Sequence, residues 1–243
     1  MCIRDRLKGA RAYLELHIEQ GPVLEASGES AAAVLGTVGV ERRAAVFSGR
    51  ASHAGATPMD MRQDSFLAAA RAALLIRDVG VAHEGGYCTT GGASSDPGVV
   101  TAVAGRTELL LDQRHLEADG LAAMVAEARE AGARIAREEG VEHEWERVWA
   151  IEPIHFHPEL IDLGESAVHE VAGEAPKLPS GPLHDAAEAA RAGVPAVMLF
   201  VQSLRGLSHA KEEDTRPEHL EQAVEALDRL TTKTLEWVSL REA

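Results

Sequence analysis

Cysteine, aromatic residues, positive charge and long apolar runs are all scarce in this sequence, and each scarcity excludes something. Two cysteines in 243 residues, Cys2 and Cys88, cannot build a disulfide framework, and neither belongs to a CxxC pair. Two free thiols in a reducing cytoplasm is the simpler reading. Lys and Arg number 24 against 39 Asp and Glu, for a formal net charge of -15. Such a chain does not attract nucleic acid or an anionic membrane by its overall field, and no basic run makes a local exception. Apolar runs such as Pro195–Val201 fall far short of the roughly 20 residues that span a bilayer. The charged opening MCIRDRLKGA is not followed by the apolar stretch of a secretory signal. Aromatics make up only 4%, so close helix packing falls to the abundant alanine.

What is present suffices for a sizeable core, since 45% of the residues are hydrophobic, in one large domain or two small ones. The middle of the chain has a regular rhythm. Glu41–Arg50 reads as a strand. DSFLAAARAALLIRDVG reads as a helix capped by Asp64 or Ser65 and stopped at Gly80. Gly98–Gly105 and Arg106–His115 read as strands. A helix over Ala118–Glu139 carries Leu121, Val125, Ala128 and Ile135 on one stripe and ends at Gly140. Val141–Trp149 alternates as a strand does. This β-α-β-β-α-β order is that of a ferredoxin-like unit, placed at 38–150. On the C-terminal side come a helix near Ile161–Ala172, a helix in HDAAEAARAG, the buried strand PAVMLFV and a final helix over Pro217–Val238. Thr215 and Glu218 have capping-box spacing before that helix. With the strand at Tyr13–Glu19, these predict a largely parallel α/β layer over 1–37 and 151–243, interrupted by the ferredoxin-like insertion.

The stretch YLELHIEQGP begins with alternation: Leu14, Leu16 and Ile18 face one way, Glu15, His17 and Glu19 the other. Gly21-Pro22 then ends the strand. Three further histidines sit beside glycine, serine or acid: His53 in GRASHAGATPMDMRQD, His184 in SGPLHDAAEAA and His209 in RGLSHAKEED. His17 ends a strand, His184 opens a helix, and His209 follows the buried strand. In a parallel sheet such places lie near the carboxyl ends of strands, where α/β sites form. Imidazole with carboxylate suits a divalent metal such as zinc. Glu15 and Glu19 read as solvated face residues, and Asp60, Arg62 and Asp64 as supports of their loop and helix start.

Taken together, YLELHIEQGPVLE, GRASHAGATPMDMRQD, LLLDQRH, SGPLHDA and GLSHAKEEDT resemble the amidohydrolase branch of the zinc aminoacylase and carboxypeptidase superfamily, and within it the N-carbamoyl-L-amino-acid hydrolases and allantoate amidohydrolases. The resemblance runs in order from Leu7 onward. It implies a zinc-exopeptidase-like α/β domain and an inserted lid that pairs two subunits into a homodimer. It also implies two divalent ions (Zn, Mn or Co) that activate water against a ureido or amide carbonyl. Carried over residue by residue, His17 matches a metal ligand and His209 the ligand of the second metal. Gln20 lies near the substrate. His53 matches a lid histidine that helps hold the oxyanion in the partner's site. Arg114 matches the arginine that grips the substrate carboxylate; a structural pairing with Asp112 or Glu108 is its alternative. His184 and Asp185 match a supporting pair near the metals, with His184 placed at the substrate.

The sequence also departs from that pattern. Thr101 stands where an asparagine is usual, Ala104 where a proline is, and Pro182-Leu183 where a small Ala-Gly pair is; Arg205 replaces a small polar residue. The family segment that supplies a further histidine, a bridging aspartate and a Glu-Glu pair has no match ahead of Tyr13. The expectation is therefore a fragment whose parent is the enzyme and which is itself inactive. The other readings are an aminoacylase or exopeptidase of the same superfamily, and a non-catalytic dimerisation module.

Overall fold

The computed structural model describes Leu7 and residues 9–242. The stretch MCIRDR, with Cys2, lies outside the described residues. The chain divides into an outer unit, 1–37 with 154–243, and an inserted unit, Val38–Pro153.

The outer unit opens with β1 (Tyr13–Ile18), α1 (Val23–Ser27) and β2 (Ala31–Thr37). The insertion follows as β3 (Gly39–Ser48), β4 (Ser52–His53), α2 (Ser65–Ala82), β5 (Tyr87–Asp96), β6 (Ala102–Val103), β7 (Arg106–His115), α3 (Ala118–Glu139) and β8 (Glu142–Ile151). The chain returns to the outer unit with β9 (Ile154–His155), α4 (Pro158–Ala172), β10 (Lys177–Ser180), α5 (Asp185–Arg191), β11 (Ala196–Val201) and α6 (Pro217–Glu242).

The outer sheet runs β1-β11-β2-β10, with β9 also on β2. Its pairs are mixed. β1 lies parallel to β11, from Tyr13↔Ala196 to Ile18↔Val201, and β10 is parallel to β2. The β11–β2 and β2–β9 pairs are antiparallel, so the expected largely parallel layer is half correct. All six residues of β11 are buried, because both of its faces are covered. Leu199 and Val197 come against Gly164 of α4, while Phe200 turns to the other face, its ring 6.0 Å from that of His184. The expected capping box at α6 does not form: the Thr215 hydroxyl has no hydrogen-bond partner.

The inserted unit is a four-stranded antiparallel sheet ordered β5-β7-β3-β8, the ferredoxin-like arrangement, backed by α2 and α3. Asp64 caps α2, its Oδ1 accepting from Phe66 N and Leu67 N at 3.0 and 3.2 Å. Gly140 ends α3 in the left-handed region at φ +66, where glycine has no steric cost. Alanines 45, 68, 69, 72 and 128 pack with Phe47, Ile76, Leu109, Leu111 and Ile135 in its core. Two sequence expectations fail here. The strand over Gly98–Gly105 shrinks to Ala102–Val103, with Val100 97% exposed, and the sheet position goes to Tyr87–Asp96 instead. The unit ends at Pro153 rather than 150, because β8 stays paired as far as Ile151 opposite Val40.

Candidate metal centre

The site begins with strand parity. Glu15 and His17 lie two apart on β1, so they share a face. His184 precedes α5 as its N-cap residue. One ligand atom from each of Glu15, His17 and His184 falls within 4.8 Å of the others. The two imidazole centroids are 4.3 Å apart at 64°.

The hydrogen bonds decide which nitrogens are free. His17 Nδ1 lies 2.7 Å from the Ile18 carbonyl oxygen. A carbonyl only accepts, so Nδ1 carries the proton and Nε2 of the neutral ring keeps its lone pair. His184 Nε2 lies 2.7 Å from Ser180 Oγ, whose own proton goes to the Pro182 carbonyl at 2.9 Å. Nε2 must therefore donate, leaving the Nδ1 lone pair free, and that atom faces Glu15 Oε1 at 4.0 Å. The other Glu15 oxygen accepts from Ala186 N at 2.7 Å. Each imidazole is thus anchored through one nitrogen and open at the other, as a metal-binding histidine is.

Electrostatics favour the ligating form of His184 and work against that of Glu15. Burial, with His17 close by, pushes His184 down to about 4, so at neutral pH its ring is uncharged. Burial also raises the Glu15 carboxyl, with Asp185 adding to the shift and the Ala186 N–H opposing it. A cation would offset that cost. By donor chemistry, two imidazole nitrogens and a carboxylate oxygen fit zinc or a similar divalent ion.

The remaining candidates lie outside this donor group. Gln20 follows β1 with φ +58, and His209 follows β11 with φ +56. Both lean on Glu213, which accepts from Gln20 Nε2 at 3.4 Å and from His209 N at 2.8 Å. His209 belongs to no three-donor group among the described residues. In the inserted unit, His53 is exposed on β4, and its Nδ1 accepts from Gly55 N at 3.1 Å; the neutral ring then carries its proton on Nε2. Arg114 is gripped by Asp112, Nε to Oδ1 at 2.6 Å and Nη2 to Oδ2 at 3.1 Å.

Three residues escaped the sequence reading. Glu15, taken for a solvated face residue, is in the donor group. Ser180 sets the His184 tautomer, and Glu213 ties two loops. The i,i+2 pairing of Glu15 with His17 was a usable signal for the first; the other two depend on tertiary folding. Glu19 is not solvated either: buried, it accepts from Val23 N and Leu24 N at 2.8 and 3.1 Å and so caps α1. Arg62 does support its loop, donating to the Thr57 and Ala54 carbonyls.

Residues 3–233 match the model of Peptidase family M20/M25/M40, and the chain belongs to that family. Within it, the chain is 32% identical over 224 residues to the allantoate amidohydrolase of Bacillus subtilis (strain 168), covering 91% of this chain and 54% of that protein. It is 30% identical over 224 residues to the N-carbamoyl-L-amino-acid amidohydrolase of Paenarthrobacter aurescens, covering 90% and 53%. Among solved structures it matches an amidase of the hydantoinase/carbamoylase family from Burkholderia multivorans, with a TM-score of 0.85 and 34% identity over 90% of this chain and 54% of that one. The chain spans about half the length of the curated relatives it matches.

Proposed function

We propose that the protein acts as a metal-dependent amidohydrolase, cleaving a carbamoyl or ureido C–N bond of an N-carbamoyl amino acid or an allantoate-like molecule. The observation that carries this reading is the meeting of Glu15, His17 and His184, with each ring anchored so that one lone pair is free. The names of the relatives supply the substrate class.

When bound, the divalent ions, two in this reading and zinc, manganese or cobalt by donor type, polarise the scissile carbonyl and make water a nucleophile at neutral pH. His17 ligates one and His209 the other. Glu15 and His184 complete the first set or, in the case of His184, contact the substrate. Gln20 borders the substrate. Arg114 takes the substrate carboxylate with its planar fork, which Asp112 holds in orientation. His53 donates from Nε2–H to the oxygen that gains charge. In a homodimer paired through the inserted unit it serves the other copy's site. Exposed Leu74 and Val81 on α2 and Tyr87 on β5 support that pairing. Scarce cysteine supports a cytoplasmic location; no helix among the described residues is long and apolar enough to cross a membrane.

The test has two parts. Calorimetry of the chain with Zn(II) should show binding that His17→Ala abolishes. The whole protein, loaded with metal, should turn over N-carbamoyl amino acids faster than N-acetyl amino acids, and a chelator should stop it. Preference for N-acetyl substrates would make it an aminoacylase or exopeptidase. Absence of metal binding would leave a non-catalytic dimerisation module.

A further inference from the structure

The inserted unit carries a hollow of about 350 Å³ between α3 and the strands β3 and β8, and none of the candidate site residues named above lines it. Its floor is the ion pair of Glu41 and Arg43, 2.8 Å long, with side chains only 11% and 13% exposed. Arg147, from β8, reaches the same carboxylate, Nη2 to Oε1 at 2.5 Å. One carboxylate therefore serves two guanidiniums. A third, Arg129 of α3, also lines the hollow, and among the described residues no hydrogen bond or ion pair holds it.

Charge and shape narrow the occupant. The only other acidic residue lining the hollow is Glu152. Three guanidiniums against two carboxylates leave one positive charge in surplus, in a chain whose net charge is -15. The surroundings are rich in donors: Arg43 Nε and Trp145 Nε1 are buried with no acceptor. A buried ion pair adds little net stability over well-packed apolar residues; here it holds Arg147 in place beside open space. Leu121, Val125 and Ile151 give the lining an aliphatic part. A guanidinium fork fits a planar carboxylate. A single surplus charge matches a monoanion, whereas a phosphate dianion would leave the site net negative beside Glu41 and Glu152.

We propose that this hollow binds a small amphipathic monocarboxylate, its carboxylate taken by Arg129 and Arg147 and its short aliphatic part lying on Leu121, Val125 and Ile151. The site is separate from the proposed hydrolysis and does not rest on it.

The probe is isovalerate, titrated into the full chain and followed by ¹H–¹⁵N NMR at the Trp145 indole and the Val125 and Ile151 amides. Saturable shifts at these signals, with a dissociation constant in the roughly millimolar range that so small a ligand permits, are the expected result. Arg129→Ala removes an exposed side chain that nothing holds, so the fold is retained, and binding should weaken by about tenfold. Arg129→Lys should fall between the two. The proposal is overturned by an absence of saturable shifts up to the solubility limit, by an Arg129→Ala titration that matches the wild type, or by neutral isovaleramide binding as well as isovalerate. Tighter binding of inorganic phosphate would equally overturn the monocarboxylate assignment.

Discussion

The outer and inserted units treat their backbones differently. Among the described residues of the outer unit, three non-glycine residues adopt left-handed conformations: Gln20, Arg205 and His209. All three lie in the loops that follow β1 and β11, beyond the carboxyl ends of that parallel pair. In the inserted unit, the described residues with positive φ are the glycines Gly85, Gly98 and Gly140, each at a turn or helix end where glycine carries no penalty. Its ten-residue strands pair at length, and its charges are largely matched: Arg42 with Asp112, Arg71 with Glu138 and Glu139. Backbone strain persists where the surrounding structure over-determines it, and it concentrates at sites. The contrast teaches that one unit is a regular scaffold and the other spends its irregularity around its donor group.

The sharpest way to break that comparison is through packing. Phe200→Ala leaves a void in β11 between buried neighbours and should cost the outer unit about 3–5 kcal/mol. The inserted unit, with its own core, should keep its structure. Urea unfolding followed separately at Trp237 and at Trp145 or Trp149 would show this, and a single shared loss at all three would erase the distinction between the units. Next in size is Ser180→Ala, which frees the His184 tautomer without touching a donor. Zinc affinity should fall roughly ten- to hundredfold, measured by competition with a chromogenic chelator; an unchanged affinity would mean that His184 is no ligand.

Arg205→Gly tests the strain itself. At φ +61 and ψ 13 the arginine sits in a region costing about 1–2 kcal/mol for a residue with a Cβ. Its backbone N–H bond to Glu25 Oε2 survives the change. After the entropy that glycine adds to the unfolded chain, a net gain of up to about 1 kcal/mol in the outer unit is expected by chemical denaturation. A loss would show that the arginine side chain matters more than its backbone.

The smallest effect is a pH dependence in the inserted unit. His143 lies against Phe47, ring centroids 4.9 Å apart. Burial, with Arg129 adding to it, lowers its pKa below the usual 6.5. The unfolded chain then binds the proton more readily than the folded one, so stability is full above about pH 6.5 and declines as pH falls below it. Thermal melts at pH 7.5 and 5.5 should show this decline, and His143→Leu should shrink it.

Much of the fold was legible where a single face or run decides the element. The stripe from Leu121 to Ile135 and Gly140 bounded α3, and an unbroken apolar run marked β11. β5 was not legible, because YCTTGGASSD has neither alternation nor aliphatic bulk: as an edge strand it is specified by its partner β7 more than by its own side chains. β2, AAAVLGT, was missed for the opposite reason: being buried nearly throughout, it has no polar face to alternate. At the site, parity placed Glu15 beside His17 but could not say what would cover them. That depended on α5 bringing the Ala186 N–H and the His184 ring to Glu15 from a distant part of the chain. The same limit hid Glu213, since its two contacts belong to loops far apart in sequence.

The pairing of β1 with β11 also sets an order of assembly. Among the described residues β1 has no strand partner but β11, so Tyr13 waits for Ala196 to be synthesised. At bacterial-to-eukaryotic elongation rates that interval is on the order of 10–40 s. The inserted unit, whose strands all lie between Gly39 and Ile151, can complete its sheet within it. A nascent chain would thus hold a finished inserted unit while β1 still lacks β11, the stage at which a chaperone has most to protect.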